Sequence, residues 1–181
     1  MKKSLSVLVA IALCLSLSAQ EGKVVNKILY SELGGPGVLM SFNFDSRFDS
    51  QSRLGFGYRL GVGFGVGDYK KVTVYYENYP VIETKNRQFY SIPAGLNYVF
   101  GKPNSIHKFE TGAGITILTR KVSLYCYHDN YKQGNVVGFF TFMYRIVPED
   151  GGFSLRVGLT PAIGTAGDLF PMGAVGFGYA F

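Results

Sequence analysis

Tryptophan is absent from the 181 residues, and only two cysteines and two histidines are present. Cys14 falls inside an N-terminal leader, so Cys126 has no partner in the mature chain and a disulfide framework is excluded. After the leader no apolar run reaches the ~18 residues of a membrane helix. The formal charge of +6 contains no long Lys/Arg run to neutralise consecutive phosphates, which excludes nucleic acid as a partner. Gly61-Val62-Gly63-Phe64-Gly65 is glycine-rich, but no helix follows it, so the geometry of a phosphate loop is missing. Nothing in the chain asks for a cofactor.

The leader spans residues 1–19. Lys2 and Lys3 form a basic start, Leu5 to Leu17 is apolar, and small residues follow. This is the pattern of a secretory signal peptide cut after Ala19 or after Gln20. A lipoprotein signal on Cys14 is the alternative, disfavoured because Leu13 stands where a small residue is wanted. Removing Lys2 and Lys3 leaves a milder basic excess on the domain 20–181.

What is abundant is glycine, at 24 residues, with 13 tyrosines and 15 phenylalanines. They recur with period 2. From Arg53 to Phe64, Leu54, Phe56, Tyr58, Leu60, Val62 and Phe64 alternate with Arg53, Gly55, Gly57, Arg59, Gly61 and Gly63. A strand with one bulky face and one face of glycine and arginine suits a closed barrel in a bilayer. The bulky set faces acyl chains and the glycines leave room inside for long charged side chains. At the end of the chain Val175, Phe177, Tyr179 and Phe181 alternate with Ala174, Gly176, Gly178 and Ala180 in the same way.

Comparable segments run over residues 26–33, 38–45, 88–100, 106–118, 135–147 and 153–160. The total is eight strands, and the expected fold is all-β, an eight-stranded antiparallel up-and-down transmembrane barrel. Pro93 interrupts one strand and predicts a bulge there. Residues 46–52, 101–105 and 148–152 read as short turns. Residues 119–135 and 161–171 read as longer loops, and residues 65–88 read as a strand extension beyond the membrane that closes as an outer loop. Gly34 to Gly37 forms a tight first connection on the side of the long loops, against the rule that outer connections are long.

Five segments together resemble small outer-membrane β-barrel proteins of Gram-negative bacteria, of the uncharacterised eight-stranded type common in Bacteroidetes. They are Tyr30 to Gly35, Ser41 to Phe44, Leu96 to Gly101, Phe109 to Gly114 and Gly176 to Phe181. The resemblance implies a surround of outer-membrane lipid. It also implies recognition of Phe177, Tyr179 and Phe181 by the barrel-assembly machinery. It implies no catalytic residues.

Parity places Glu32, Asp45 and Glu110 inside, opposed by Arg59, Lys108, Arg145 and Arg156. Mutual pairing is the arrangement that avoids isolated buried charge. The preferred reading is a salt-bridged, plugged lumen, in a barrel that is structural or binds at the surface through loops 65–88 and 119–135. A narrow gated pore is the alternative use of the same residues. A soluble lipocalin-like barrel would need the reverse polarity, apolar inside. A lipid A-modifying enzyme would have to use His128, near Asp129 and Ser123, because His107 lies beside a turn on the other side. A metal site at Cys126, His128 and Asp129 lacks a closed ligand set. Tyr69, Tyr75, Tyr76, Tyr79, Tyr125, Tyr127 and Tyr131 crowd the two loops, where they suit an interfacial girdle or a contact surface.

Overall fold

The computed structural model describes residues 24–76, 79–122, 134–164 and 169–181; for 68–85 only the backbone path and pairing are used. Among the described residues ten strands follow one another: β1 (Lys27–Gly34), β2 (Met40–Arg47), β3 (Gly55–Tyr76), β4 (Tyr79–Phe100), β5 (His107–Val122), β6 (Gly134–Ile146), β7 (Gly152–Leu159), β8 (Ala162–Ile163), β9 (Leu169–Phe170) and β10 (Gly173–Ala180). β8 continues the stave of β7 along β6, and β9 continues that of β10. Pro161 and Pro171 stand at the two breaks, where a residue without an N–H cannot serve the ladder. Each stave pairs antiparallel with its sequence neighbour, and the last pairs with β1, so the sheet is a closed eight-stranded barrel.

The register fixes the size of the barrel. Ile28 faces Asp45, Asp45 faces Arg59, and Arg59 faces Gly95. Gly95 faces Gly114, Gly114 faces Phe139, Phe139 faces Ala162, and Ala162 faces Phe170. Ile28 itself faces Ala180, so the circuit returns to the last stave ten residues from where it would close flat. Eight strands with that shear tilt by about 40° and wrap a backbone cylinder of roughly 8 Å radius. A lumen so narrow is filled by the side chains of its own wall.

The two faces of the wall have opposite chemistry. Outside, Phe42, Phe56, Leu60, Val62, Tyr90, Leu96, Phe142, Phe153 and Leu159 are exposed. Phe56 packs edge-on against Tyr98 across β3 and β4, with ring centroids 4.8 Å apart. Inside, Glu32, Asn43, Asp45, Arg59, Asn97, Glu110, Arg145 and Arg156 are almost wholly buried. The inward glycines leave the space these groups occupy. A Cβ on Gly176 would stand 2.6 Å from Arg156 Cγ, and one on Gly114 would stand 2.6 Å from both Gly95 Cα and Phe139 Cζ.

Several expectations need correction. Pro93 makes no bulge: β4 keeps its register with β3 on both sides of it and faces Thr116 of β5 directly. Residues 65–88 do extend the strands as expected, but they stay paired much further than a loop closing the extension would allow. β3 and β4 continue as a paired hairpin to Tyr76 and Tyr79, with one register shift between Asp68 and Lys70. Arg53 and Leu54 precede β3, whereas Ser46 and Arg47 belong to β2 rather than to the turn. Residues 161–171 hold β8 and β9. Within 119–135, residues 119–122 belong to β5 and Gly134 onward to β6, and the rest lies outside the described residues. So do the leader and its cleavage site.

The tight first connection is a short 3-10 turn, Gly35–Gly37, folded into the barrel mouth. Gly34 and Gly35 take φ of 71° and 69°, open to glycine at little cost. Val38 takes φ 80°, a conformation that a β-branched residue enters only at a cost. Two wall side chains hold the turn: Thr116 Oγ1 donates to Pro36 O at 2.7 Å, and Ser91 Oγ donates to Gly37 O at 2.9 Å. Around it Phe89, Leu118, Val122, Val137 and Ala162 form an apolar cluster that Val38 and Met172 join.

Crowding at the wall gives a direct test. Gly114→Ala should lower stability by about 1–3 kcal/mol, because backbone and a buried ring would have to move. Gly138→Ala, whose nearest neighbour would be 3.9 Å away, should change it little. Denaturant unfolding of the refolded barrel, followed by far-UV circular dichroism because tryptophan is absent, reads the difference.

Candidate functional site

The inward charges of six strands meet in one unbroken sequence of ion pairs. Arg59 Nη2 donates to Glu32 Oε2 at 2.7 Å. Arg156 Nε lies 3.3 Å from Glu32 Oε1, and its Nη2 donates to Glu110 Oε1 at 3.2 Å. Arg145 lies between Glu110, 2.9 Å from Nε, and Asp45, 3.0 Å from Nη2. Asp45 accepts from Arg47 Nη2 at 2.5 Å. The order is Arg59, Glu32, Arg156, Glu110, Arg145, Asp45, Arg47. Every carboxylate sits between two guanidiniums, and both ends are arginine.

Each end is handled differently. The Arg59 guanidinium lies 5.8 Å from the Tyr30 ring centre and 5.7 Å from that of Phe139. Arg156 stacks closer on Tyr30, at 4.5 Å. Aromatic faces attract cations without adding an acid. At the other end Arg47 donates to Gly55 O at 2.9 Å and to Asn97 Oδ1 at 2.7 Å. Asn97 in turn donates to Asp45 at 2.5 Å and weakly to Glu110 at 3.4 Å, tying two acids across the lumen.

Of the seven inward charges expected, Glu32, Asp45, Arg59, Glu110, Arg145 and Arg156 come together. Lys108 stands apart. It lies second in β5, level with the turn, and its ammonium donates to the carbonyl oxygens of Lys102 and Pro103. Arg47 and Asn97 were missed. Arg47 extends the inward parity of Ser41, Asn43 and Asp45 by one more step, so its signal was present in residues read as a turn. Asn97 carries no charge, and nothing in a strand pattern marks a neutral amide as a bridge.

Phe177 and Tyr179 are exposed on the outer face of β10. Phe181 exchanges backbone hydrogen bonds with Lys27, which extends the closing ladder to the last residue. His107 stacks on Tyr144, ring centres 5.9 Å apart, with its Nδ1 against the tyrosine hydroxyl. Ser123, Tyr125, Cys126, Tyr127, His128, Asp129 and Tyr131 lie outside the described residues, as do the side chains of Tyr69, Tyr75, Tyr76 and Tyr79. Among the described residues no group of three His, Cys, Asp or Glu is placed to hold a metal. A lipocalin-like barrel would carry an apolar ligand cavity where this one carries the ion pairs.

No family model matches the chain, and no curated protein matches it. Among solved structures it is similar to Ail, the attachment invasion locus protein of Yersinia pestis, determined in complex with the heparin analogue sucrose octasulfate. The likeness covers 90% of this chain and 100% of that one, at 14% identity and a TM-score of 0.41. At that distance the architecture of this chain rests on its own strand register.

Breaking the sequence of ion pairs at its centre should be costly. Arg156→Met strips one cation from both Glu32 and Glu110 and should lower stability by about 3–5 kcal/mol. Lys108→Gln, which gives up only a contact to turn carbonyls, should lower it by about 1 kcal/mol or less. Unfolding midpoints of the two variants in detergent, at matched pH and salt, check the ranking.

Proposed function

We propose that this chain is a non-enzymatic outer-membrane β-barrel with its lumen plugged by ion pairs, structural or surface-binding through its outer connections. The observation that carries the reading is the inverted polarity of the wall. A belt of exposed aromatic and aliphatic side chains surrounds a fully desolvated ionic interior. In water such a belt far exceeds the apolar patches that soluble monomers tolerate. In a bilayer it is the expected lipid face. Cleavage of residues 1–19 as a signal peptide, and use of Phe177, Tyr179 and Phe181 as the assembly signal, belong to the same proposal.

The β3–β4 hairpin is the element best placed for surface binding. Pairing of β3 with β2 ends at Phe64 and pairing of β4 with β5 ends at Ser91. Beyond those points the two strands pair with each other up to Tyr76 and Tyr79. Among the described residues both of its outer edges lack a ladder partner there, which is the backbone template for an added strand.

Three measurements test the proposal. The protein should stay in the membrane pellet after an alkaline carbonate wash; release into the supernatant would count against a spanning barrel. Planar-bilayer recordings should show no discrete conductance, with wild type or with Arg59→Ala; steps in either would favour the gated pore. Replacing residues 68–86 by an Asn-Gly turn should leave the barrel folded, read as an unchanged heat-modifiable gel shift, because neither β2 nor β5 leans on that segment.

A further inference from the structure

The alternation of charges in the lumen leaves a remainder at one end. Together the lumen and its base bring Arg47, Arg53, Arg59, Lys108, Arg145 and Arg156 against Glu32, Asp45, Glu110 and Glu149. Six cations thus meet four carboxylates. The Arg59 end is covered by two aromatic rings. The Arg47 end opens on a cavity of about 20 Å³, at the side of the barrel where the termini lie. Arg47, Arg53, Lys108 and Arg145 all line it, with Asn26 and a floor of Val25, Ile28, Val99 and Val147. Asp45 is the one carboxylate in its lining, and it is already shared between Arg47 and Arg145.

The remaining acid nearby is weakly engaged. Glu149 stands 3.7 Å from Arg53 and its side chain is 45% exposed. Arg53 otherwise donates to Pro148 O at 3.1 Å, and Lys108 donates to turn carbonyls. Carbonyl dipoles satisfy donors but do not cancel charge. Arg53 Nε is buried without a hydrogen-bond partner, and Arg145 Nη2 meets Asp45 without an aligned hydrogen bond. A cavity of this volume admits one small ion or water, and four of the five charged residues that line it are cationic.

We propose that this cavity is a binding site for a single small inorganic anion of the halide class. The ion neutralises the Arg47 end of the ion-pair sequence and accepts from the donors that the protein leaves free. The site faces the termini, opposite the mouth closed by the 3-10 turn, so the ion exchanges with solvent on that side alone. An organic acid or a phosphate ester does not fit the volume. The inference does not depend on a surface-binding role or on the absence of conductance.

The probe is bromide, with the full-length mature barrel refolded in detergent. Crystals grown in sodium bromide should show an anomalous peak among Arg47, Arg53, Lys108 and Arg145. In solution, chloride or bromide should raise the unfolding midpoint in a saturable way by mass action, compared with gluconate at equal ionic strength. The double variant Arg53→Gln/Lys108→Gln keeps the central ion pairs, and it should fold yet lose both the peak and the saturable rise. Should that variant not refold, Lys108→Gln alone should still weaken the saturable rise. Equal midpoints in chloride and gluconate would reduce the effect to screening and overturn the proposal. A peak in crystals with no anion-specific rise in solution would mean an adventitious ion only, and would overturn it as well.

Discussion

Desolvation of charge is the constraint on which this barrel turns. Burying a guanidinium or carboxylate is expensive unless its partner is buried with it and aligned. Here the charged groups of the lumen come from β1, β2, β3, β5, β6 and β7; Arg47–Asp45 lies within one strand and Arg145–Glu110 joins neighbours, while the other pairs link strands that are not adjacent. The ring must close in the right register before those non-neighbour pairs exist. A slip of one residue would turn every charge of a strand outward and every aromatic inward. The ion pairs therefore specify the register more than they add stability, a role attested for buried polar groups elsewhere.

The wall follows from the same constraint. Arginine reaches the axis of a cylinder of roughly 8 Å radius, so opposite positions must be small. Gly57 lies against the Arg47 guanidinium, Gly61 against Asn43, and Gly176 against Arg156. The glycine-and-aromatic composition is one solution to two demands: volume for charge inside, and oily bulk outside. The ion pairs and the inserted turn occupy the lumen together, so the proposed plug rests on volume as much as on charge.

Much of this was legible in a period of 2. Strands with one face held by the lumen and the other by an apolar surround alternate strictly, and Arg53 to Phe64 shows both faces at once. Strand ends were less legible, because alternation fades where both sides meet turns or solvent. That is how Arg47 passed as a turn residue and Lys108 as a member of the ion pairs. Pro93 misled for another reason. Its missing N–H leaves the ladder to β3 open at Ile92 and Pro93 without shifting the register, and only the three-dimensional pairing tells that case from a bulge. The hairpin beyond Phe64 and Ser91 was legible as a strand extension, but its paired length to Tyr76 and Tyr79 was not, because polar-aromatic strands carry no alternating apolar face to mark where they end.

The two ends of the lumen differ in how they are sealed, and the difference has a direction. At the mouth on the hairpin side, apolar packing around Val38 and the donated bonds of Ser91 and Thr116 fix a turn with unfavourable backbone torsions. That seal depends on neighbours already in place, so it forms only on a closed barrel. At the end near the termini, the ion-pair sequence stops on Arg47 with cations and turn carbonyls around it. An apolar seal there would leave Arg47 and Arg145 with surplus charge, whereas an opening to solvent lets water or an ion share it. The alternation of three acids with four arginines thus ends in two different settings: rings cover Arg59, whereas Arg47 ends beside further cations, turn carbonyls and a small cavity.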